Sequence, residues 1–333
     1  PWAILLGGAV VIAYSVLGGM WSITLTDLMQ FLFMTVGIFA ILLPFSLAAG
    51  GGWSGIRERL DASYFAVSSM GFQAILTQFV VYGFGMLIGQ DIWQRVFTAR
   101  SPGVARWGGL VSATYVALYG VAGALIGTAA AAVLPNLAVP EEAFATMAQE
   151  HVPAGLGGIV LAAGVAAMMS TASGATIAAA TVARVDVVPT LLGLFGAPDD
   201  DIARARSEDA SVLKDRVYVV VVGLVITVMS MLVSSTVTAL TIAYDLLVGG
   251  LLVAVLGGLL WKRGTAAGAM WSMAAGVVAT VVGMVVYGVL ANAPIYMGLL
   301  ASAVVFVAVS LATKPTTPEI SQEWNRRIQE SKA

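Results

Sequence analysis

The segment Ala166-Ala167-Met168-Met169-Ser170-Thr171-Ala172-Ser173-Gly174-Ala175-Thr176 lies inside an apolar run, Gly155 to Ala183, that contains no charged residue. About 20 residues, each rising about 1.5 Å, are enough to cross a bilayer, so this run predicts a membrane-spanning helix. Four hydroxyl residues lie at its centre: Ser170, Thr171, Ser173 and Thr176. In a helix, Ser170, Ser173 and Thr176 fall near one face, whereas Thr171 lies about 100° from Ser170.

Two interpretations of these hydroxyl groups stay open on the residues alone. Hydroxyl and carbonyl oxygens are ligands for hard cations, and Na⁺ is a hard cation. Small and hydroxyl residues are also common where membrane helices pack closely, and a Ser or Thr can bond to the carbonyl one turn back. The cluster by itself therefore does not establish an ion site.

The composition is that of an integral membrane protein. Of the 333 residues, 59% are hydrophobic and 10% are charged, whereas soluble domains carry about 25% charged residues. The absence of cysteine excludes disulfides and thiolate metal sites, and the single histidine, His151, excludes a multi-histidine metal site. The net charge of −2 does not indicate a nucleic-acid partner, and we expect the lipid bilayer to surround the chain.

The chain begins at Pro1, without Met, directly in an apolar run that lacks a basic leader and a cleavage site. This start differs from a signal peptide, and we expect an N-terminally truncated chain. We expect residues 1–313 to form a transmembrane transporter domain. The polar residues 314–333 are expected to form a cytoplasmic tail that is partly disordered.

The apolar runs predict an all-α membrane protein with nine spanning helices. The connections between these runs carry nearly all of the charge. The expected helices are roughly 2–20, 27–49, 71–90, 107–134, 155–183, 217–235, 238–261, 266–290 and 294–313.

The positive charge is strongly one-sided if these nine helices are assumed and the amino end faces outside. Fourteen of the 16 Lys and Arg residues then lie on one side, and the other side holds only Arg57 and Arg59. Cytoplasmic loops are rich in Lys and Arg. We therefore expect a multi-pass protein of the plasma (inner) membrane, with the N-terminus of this chain outside and its C-terminus in the cytoplasm.

Two connections are long enough for structure of their own. Residues from Pro140 to Glu150 predict a short external helix, and residues 190–216 predict a surface helix that Asp199-Asp200-Asp201 would cap. We expect both to be solvated connectors.

Two acidic residues are candidates for a role inside the membrane, where charge is costly and usually functional. Asp245 lies about 10 Å into helix 238–261, either as a headgroup-level acid or as a residue of the substrate path, where Thr241 joins it. Asp27 opens helix 27–49, so a capping role is an alternative to a functional one.

Helix 71–90 combines Tyr82-Gly83-Phe84-Gly85 with Gln78 and Gln90. Glycines in mid-membrane weaken a helix, and transporters place substrate sites where helices are broken. Close packing explains isolated glycines equally well. We therefore treat Gln78, Tyr82, Gly85 and Gln90 as candidate substrate-binding or gating residues, with packing as the alternative.

The sequence offers little for catalysis. The chain lacks a Gly-x-x-x-x-Gly-Lys-Ser/Thr phosphate-binding pattern. Its apolar runs hold no histidine to complete a Ser/His/Asp set. We expect a protein that is not an enzyme and that needs no organic cofactor.

Four stretches, taken in order, resemble the sodium/solute symporter family. Gly18-Gly19 followed by Thr26-Asp27-Leu28-Met29-Gln30 is similar to one family segment, and Gly89-Gln90 followed by Gln94-Arg95 and Ala99-Arg100-Ser101 is similar to another. Met168-Met169-Ser170-Thr171-Ala172 resembles the family's ion-binding helix. Gly258-Leu259-Leu260-Trp261-Lys262-Arg263 resembles a fourth segment.

The resemblance implies a fold built on a five-plus-five inverted repeat of the leucine-transporter type. On that scheme the nine helices are core helices four to ten with two more, and the first core helices are absent from this chain. The resemblance further implies a sodium site formed by the Ala167 carbonyl, Ser170 and Thr171. It implies a second sodium site at Asp27, Ser170 and Ser173, although Gly174 stands where members often have a hydroxyl.

The function that the resemblance implies is sodium-coupled uptake of a small organic solute by alternating access. Sugar-carrying members have a Lys in the seventh core helix, whereas helix 107–134 has none. We expect an organic acid, an amino acid or a vitamin-like carboxylate. A proton-coupled carrier of the same fold, the membrane sensor module of a signalling protein and a channel are the alternatives, although the chain offers no ring of charged pore residues.

Overall fold

The computed structural model describes residues 2–66, 68–206, 212–233 and 235–330, and within these ranges it contains helices and no strand. The chain falls into two compact units, residues 1–66 with 94–234 and residues 67–93 with 235–333. In chain order the α-helices are α1 Trp2–Thr35, α2 Leu43–Ala49, α3 Gly52–Arg59, α4 Phe72–Gln78, α5 Phe84–Ile88, α6 Gln90–Phe97, α7 Pro102–Val133, α8 Ala143–Glu150, α9 Ala154–Val182, α10 Val188–Leu194, α11 Asp199–Arg206, α12 Val212–Ser230, α13 Thr236–Leu247, α14 Val253–Leu260, α15 Ala266–Tyr287, α16 Ala293–Ala312 and α17 Pro318–Glu330.

Wide π-turns join several of these helices end to end. They occupy Val36–Leu42, Phe79–Gly83, Ala183–Val187 and Val248–Leu252. The turns at Val36–Leu42 and Ala183–Val187 each end two residues before a proline, Pro44 and Pro189 respectively. Since proline lacks an N–H and its ring crowds the carbonyl four residues earlier, a widened turn before it is a common accommodation.

The prediction of separate helices at 2–20 and 27–49 is wrong. Helix α1 runs without a break from Trp2 to Thr35 and continues through a π-turn into α2. The polar residues between the two apolar runs stay helical because their hydroxyls bond locally, as Thr26 Oγ1 does to the Ile23 carbonyl at 2.9 Å. Asp27 therefore lies inside a helix rather than at its start, and it has no capping role.

The count of nine spanning helices is not confirmed. Among the described residues, six helices are long and apolar enough to cross a membrane, or seven if the bent pair Phe72–Ile88 and Gln90–Phe97 forms one span. The bend of 41° follows Gly89, which is extended at φ −65° and ψ 120°. The helix predicted at 71–90 is thus interrupted at its end and widened at Phe79–Gly83, rather than broken at Gly83 and Gly85. Because the orientation was inferred from the helix count, it stays a prediction.

The connecting segments agree with the sequence in part. The predicted helix at Pro140–Glu150 is confirmed as a 3₁₀ turn, Pro140–Glu142, followed by α8. The surface helix expected within 190–216 is present as α11, whereas residues 207–211 of that prediction lie outside the described residues. The tail forms helix α17 over Pro318–Glu330, so the prediction of partial disorder is wrong for that segment.

In the first unit, α1 packs against α9 and α12 through small residues. A Cβ built at Gly8 would lie 2.5 Å from Thr227 Oγ1, and one built at Gly223 would lie 2.5 Å from Ile12 Cγ1. A side chain at either position would force the two helices apart. Close approach through glycine is how membrane helices gain contact area, because lipid tails are as apolar as the helices.

In the second unit, the π-turn Val248–Leu252 packs against α15 and α16 at a junction of three glycines. A Cβ built at Gly276 would collide with the Gly249 carbonyl, and Cβ atoms at Gly249 and Gly298 would each collide with Thr280 Oγ1. Thr280 is fully buried and bonds to the Gly276 carbonyl at 2.9 Å. The backbones of Gly276 and Gly249 touch directly, and the Thr280 hydroxyl fills the space beside Gly249 and Gly298.

We predict that Gly276→Val lowers the free energy of unfolding by about 1–3 kcal/mol, because the added side chain overfills this junction. Gly258→Ala is the matched control, since a Cβ at Gly258 meets open space. The measurement is the thermal unfolding midpoint of the purified protein in detergent. Equal midpoints for the two variants would contradict the packing described here.

Candidate functional site

The carboxylate of Asp27 joins three segments of the first unit. Its Oδ1 accepts a hydrogen bond of 2.7 Å from Ser170 Oγ on α9. Its Oδ2 lies 3.0 Å from Nη2 of Arg95 on α6, which makes an ion pair. Bonds to charged groups are about twice as strong as neutral ones, so both oxygens of this carboxylate have strong partners.

The hydroxyl groups of α9 divide between two environments. Ser173 is fully buried and donates to the Ser170 carbonyl at 3.1 Å, and Thr176 is 2% exposed and donates to the Ala172 carbonyl at 2.7 Å. Both satisfy their own helix, as the packing interpretation expects. Ser170 differs from them because its hydroxyl leaves the helix and bonds to another element.

The three oxygens assigned to the main sodium site lie within about one turn of α9. Thr171 Oγ1 is exposed and donates to the Ala167 carbonyl at 3.2 Å. Ala167 and Ser170 are half-buried. Hydroxyl oxygens with one bonded hydrogen keep lone pairs for a cation. Thr171 Oγ1 and the Ala167 carbonyl lie together, whereas Ser170 projects about 100° away around the helix. A single ion site formed by all three stays a prediction.

A tyrosine that the sequence did not single out fixes α9 against α1. Tyr14 Oη donates a hydrogen bond of 2.9 Å to the Met169 carbonyl. Met169 immediately precedes Ser170, so this bond sets the position of the candidate ligands relative to α1. Residue type and spacing do not predict this bond, because the two residues lie 155 positions apart.

The second unit holds the residues predicted to bind or gate a substrate. Asp245 on α13 is 2% exposed, and among the described residues its Oδ1 has no hydrogen-bond partner. Thr241, one turn earlier on the same helix, is half-buried. Burial among protein atoms does not set the depth of Asp245 in a membrane, so both interpretations of this acid stay predictions.

An aromatic pair lies next to Gly85. The rings of Tyr82 and Tyr244 meet edge to face, with centroids 5.2 Å apart. A Cβ at Gly85 would collide with the Tyr244 ring. The glycine is thus needed for the packing of the Tyr244 ring, in agreement with the packing alternative, and that ring contacts the candidate gating residue Tyr82.

The polar contact in this part of α4 is made by Thr77, the neighbour of the predicted residue Gln78. Thr77, which is buried, lies 3.0 Å from the hydroxyl of Tyr296 on α16, whereas Gln78 is exposed. Gln90 is exposed as well. Thr77 and Tyr296 were missed because they lie 219 positions apart and neither stands in a recognisable motif.

The family model described as Sodium:solute symporter family matches residues 1–276. The chain belongs to the sodium:solute symporter family. The resemblance drawn from the four sequence segments is thereby confirmed.

Individual symporters agree with this assignment. The chain is 26% identical over 175 residues to a sodium/pantothenate symporter of Haemophilus influenzae, covering 51% of this chain and 36% of that relative. The chain thus spans about a third of the length of the relative that it matches. In fold it is similar to a Na⁺-coupled sialic acid symporter solved in a substrate-bound outward-open state, with a TM-score of 0.70 and 17% identity over 94% of this chain and 67% of that one.

We predict that Thr77→Val and Tyr296→Phe are coupled by about 0.5–1.5 kcal/mol in a double-mutant cycle, the usual net value of one hydrogen bond. The measurement is the free energy of unfolding of the single and double variants. Tyr287→Phe replaces Tyr296→Phe in the control cycle, because Tyr287 is 60% exposed. Equal coupling in both cycles would show that the contact does not stabilise the second unit.

Proposed function

We propose that this chain is the core of a sodium-coupled symporter that takes up a small organic solute. The observation that carries the proposal is the group of three oxygens, from Ala167, Ser170 and Thr171, on one turn of an uncharged helix in a chain of this family. A sodium-coupled relative and a sodium-coupled structural neighbour support the choice of ion.

In this proposal α9 supplies one side of the ion's coordination shell. Hard cations take several oxygen ligands, and water or carbonyl groups of a facing segment complete the shell. The hydrogen bond from Ser170 to Asp27 places a carboxylate oxygen 2.7 Å from the proposed ligand oxygen of Ser170. Arg95 balances the charge of that carboxylate through its other oxygen, so the ion is held by the neutral oxygens of α9.

The coupling follows from differential binding. If Na⁺ binds more tightly when the transporter opens outward, it raises the population of that state and prepares the protein for its solute. The inward sodium gradient then drives the solute with the ion through alternating access. The protein accordingly lies in the plasma (inner) membrane as a multi-pass chain.

We assign solute binding and gating to the second unit, at Gln78, Tyr82, Gly85, Gln90, Thr241 and Asp245. The contact between Tyr82 and Tyr244 beside Gly85 supports this assignment. A small organic acid, an amino acid or a vitamin-like carboxylate is the expected solute, since α7 has no Lys and a matched relative is a pantothenate carrier.

A thermal-shift screen of the intact protein tests the solute class. Small carboxylates, amino acids, sugars and nucleobases are added with and without Na⁺, because a ligand of the native state raises the unfolding temperature according to its occupancy. A carboxylate that stabilises the protein only when Na⁺ is present is the expected result. A sugar that does so would overturn the assignment.

We predict that Ser170→Ala and Thr171→Ala each raise the Na⁺ concentration for half-saturation by about tenfold or more, which corresponds to about 1.4 kcal/mol or more of lost binding. Each variant removes one of three oxygens offered to the ion. The measurement is binding of radioactive Na⁺ to the purified intact protein. Thr181→Ala is the control on the same helix, since the Thr181 hydroxyl donates to the Ile177 carbonyl of its own helix at 2.9 Å. Unchanged Na⁺ affinity in both site variants would refute the sodium site.

A proton-coupled carrier is the second candidate, and Asp245 is the observation that favours it. A carboxyl group that is buried with an unpartnered oxygen is positioned to gain and lose a proton. In this candidate a proton gradient drives transport, whereas in the first candidate a sodium gradient does.

We predict that uptake of the ligand found by the screen into proteoliposomes needs Na⁺ both at neutral and at mildly acidic external pH. Asp245→Asn should retain this sodium requirement, because the proposed ion ligands lie elsewhere. Uptake that proceeds without Na⁺, responds to a pH gradient and loses that response in Asp245→Asn would establish the proton-coupled alternative.

A further inference from the structure

Arg95 points its guanidinium at the place where a second cation is expected. The family resemblance implies a second sodium site between Asp27, Ser170 and Ser173. In the structure the ligand pair Asp27 and Ser170 is formed, with the hydroxyl 2.7 Å from Oδ1. The remaining carboxylate oxygen, Oδ2, is held by Nη2 of Arg95 at 3.0 Å.

Gly174 makes room for this guanidinium. A Cβ built at Gly174 would lie 2.9 Å from Nη2, 3.4 Å from Nη1 and 3.5 Å from Cζ of Arg95. The first of these distances is too short for a real contact, so a serine or threonine here would force the guanidinium to shift. The guanidinium is the far end of a flexible side chain and can move aside, so Gly174 gives Arg95 room without being required for its position.

The third expected ligand, Ser173, keeps its lone pairs, and its hydroxyl hydrogen is used within its own helix. Ser173 is fully buried, and its hydroxyl donates to the Ser170 carbonyl at 3.1 Å within α9. A cation at the second position would meet a carboxylate whose charge is already balanced by Arg95. An arginine side chain stays protonated in proteins, so that balancing charge does not depend on pH.

We propose that Arg95 replaces the second sodium ion with a tethered guanidinium, so that this symporter couples a single Na⁺, bound at Ala167, Ser170 and Thr171. The inference rests on the proposed function and specifies its ion stoichiometry. Arg95 acts as a specificity-determining residue: it pairs with Oδ2 of Asp27 and so excludes free Na⁺ from that carboxylate.

The test counts radioactive Na⁺ bound at saturation to the purified intact protein. The wild type should bind one Na⁺ per protein with a Hill coefficient of one. Arg95→Gln combined with Gly174→Ser removes the fixed charge and restores a hydroxyl, and this variant should bind two. Arg95→Lys is the matched control, because it retains the positive charge and should still bind one.

A further variant identifies which position the added ion uses. Thr171→Ala alone should weaken the only Na⁺ by about tenfold or more. When Thr171→Ala is added to Arg95→Gln and Gly174→Ser, the Na⁺ at Asp27 should keep the affinity that it has in the double variant. The Na⁺ at Ala167, Ser170 and Thr171 should be weakened. Loss of both ions would contradict the proposal.

The outcomes separate this inference from the function on which it rests. Two Na⁺ in the wild type would overturn the tethered guanidinium and leave the symporter proposal intact. One Na⁺ in Arg95→Gln with Gly174→Ser would likewise overturn it. Failure of the wild type to bind any Na⁺ would overturn both proposals, and that measurement does not depend on whether a variant folds.

Discussion

The hydrogen bond from Ser170 to Asp27 is the contact on which the architecture of the ion-binding region depends. A carboxylate on a mostly apolar helix is costly unless its oxygens have partners. Here one partner is the hydroxyl of Ser170 and the other is the guanidinium of Arg95. The need to satisfy one charge therefore brings α1, α6 and α9 together, and with them the oxygens assigned to Na⁺.

Glycine contacts are a second feature that organises the fold. Inside a membrane, close backbone contact takes the place of the hydrophobic effect in holding helices together. Gly8 and Gly223 let α1 meet α12, and Gly276 lets α15 reach the backbone of Gly249. Gly174 uses the same absence of a side chain for a different purpose, since the atoms that fill its space belong to an arginine. The same residue type thus serves packing at three positions and charge placement at a fourth.

Long uncharged runs made most of the fold predictable from the sequence. Helices α7, α9, α15 and α16 lie close to their expected ranges because each is a sustained apolar segment. The polar residues between positions 20 and 27 predict a loop, whereas the structure is helical there. Polar side chains remain compatible with a helix when their hydroxyls bond to its own carbonyls, as Thr26 does.

The candidate site was predictable only where a motif carried it. Ser170 and Asp27 came from the family resemblance, and the structure brings their side chains into contact. The bonds of Tyr14 to Met169 and of Thr77 to Tyr296 join residues 155 and 219 positions apart. Neither residue type nor spacing encodes such contacts, because they arise only once the helices have packed.

The π-turn at Val248–Leu252 has a consequence for how this chain can vary in length. A π-turn amounts to one residue inserted into an α-helix, and each residue of a helix advances the azimuth by about 100°. Five residues of a wide π-turn wind through about the same angle as four residues of an α-helix. Deleting a single residue between Val248 and Leu252 would therefore restore regular winding and leave the face that carries Asp245 nearly unchanged relative to Val253–Leu260. The same deletion in the regular helix on either side would turn that face by about 100°.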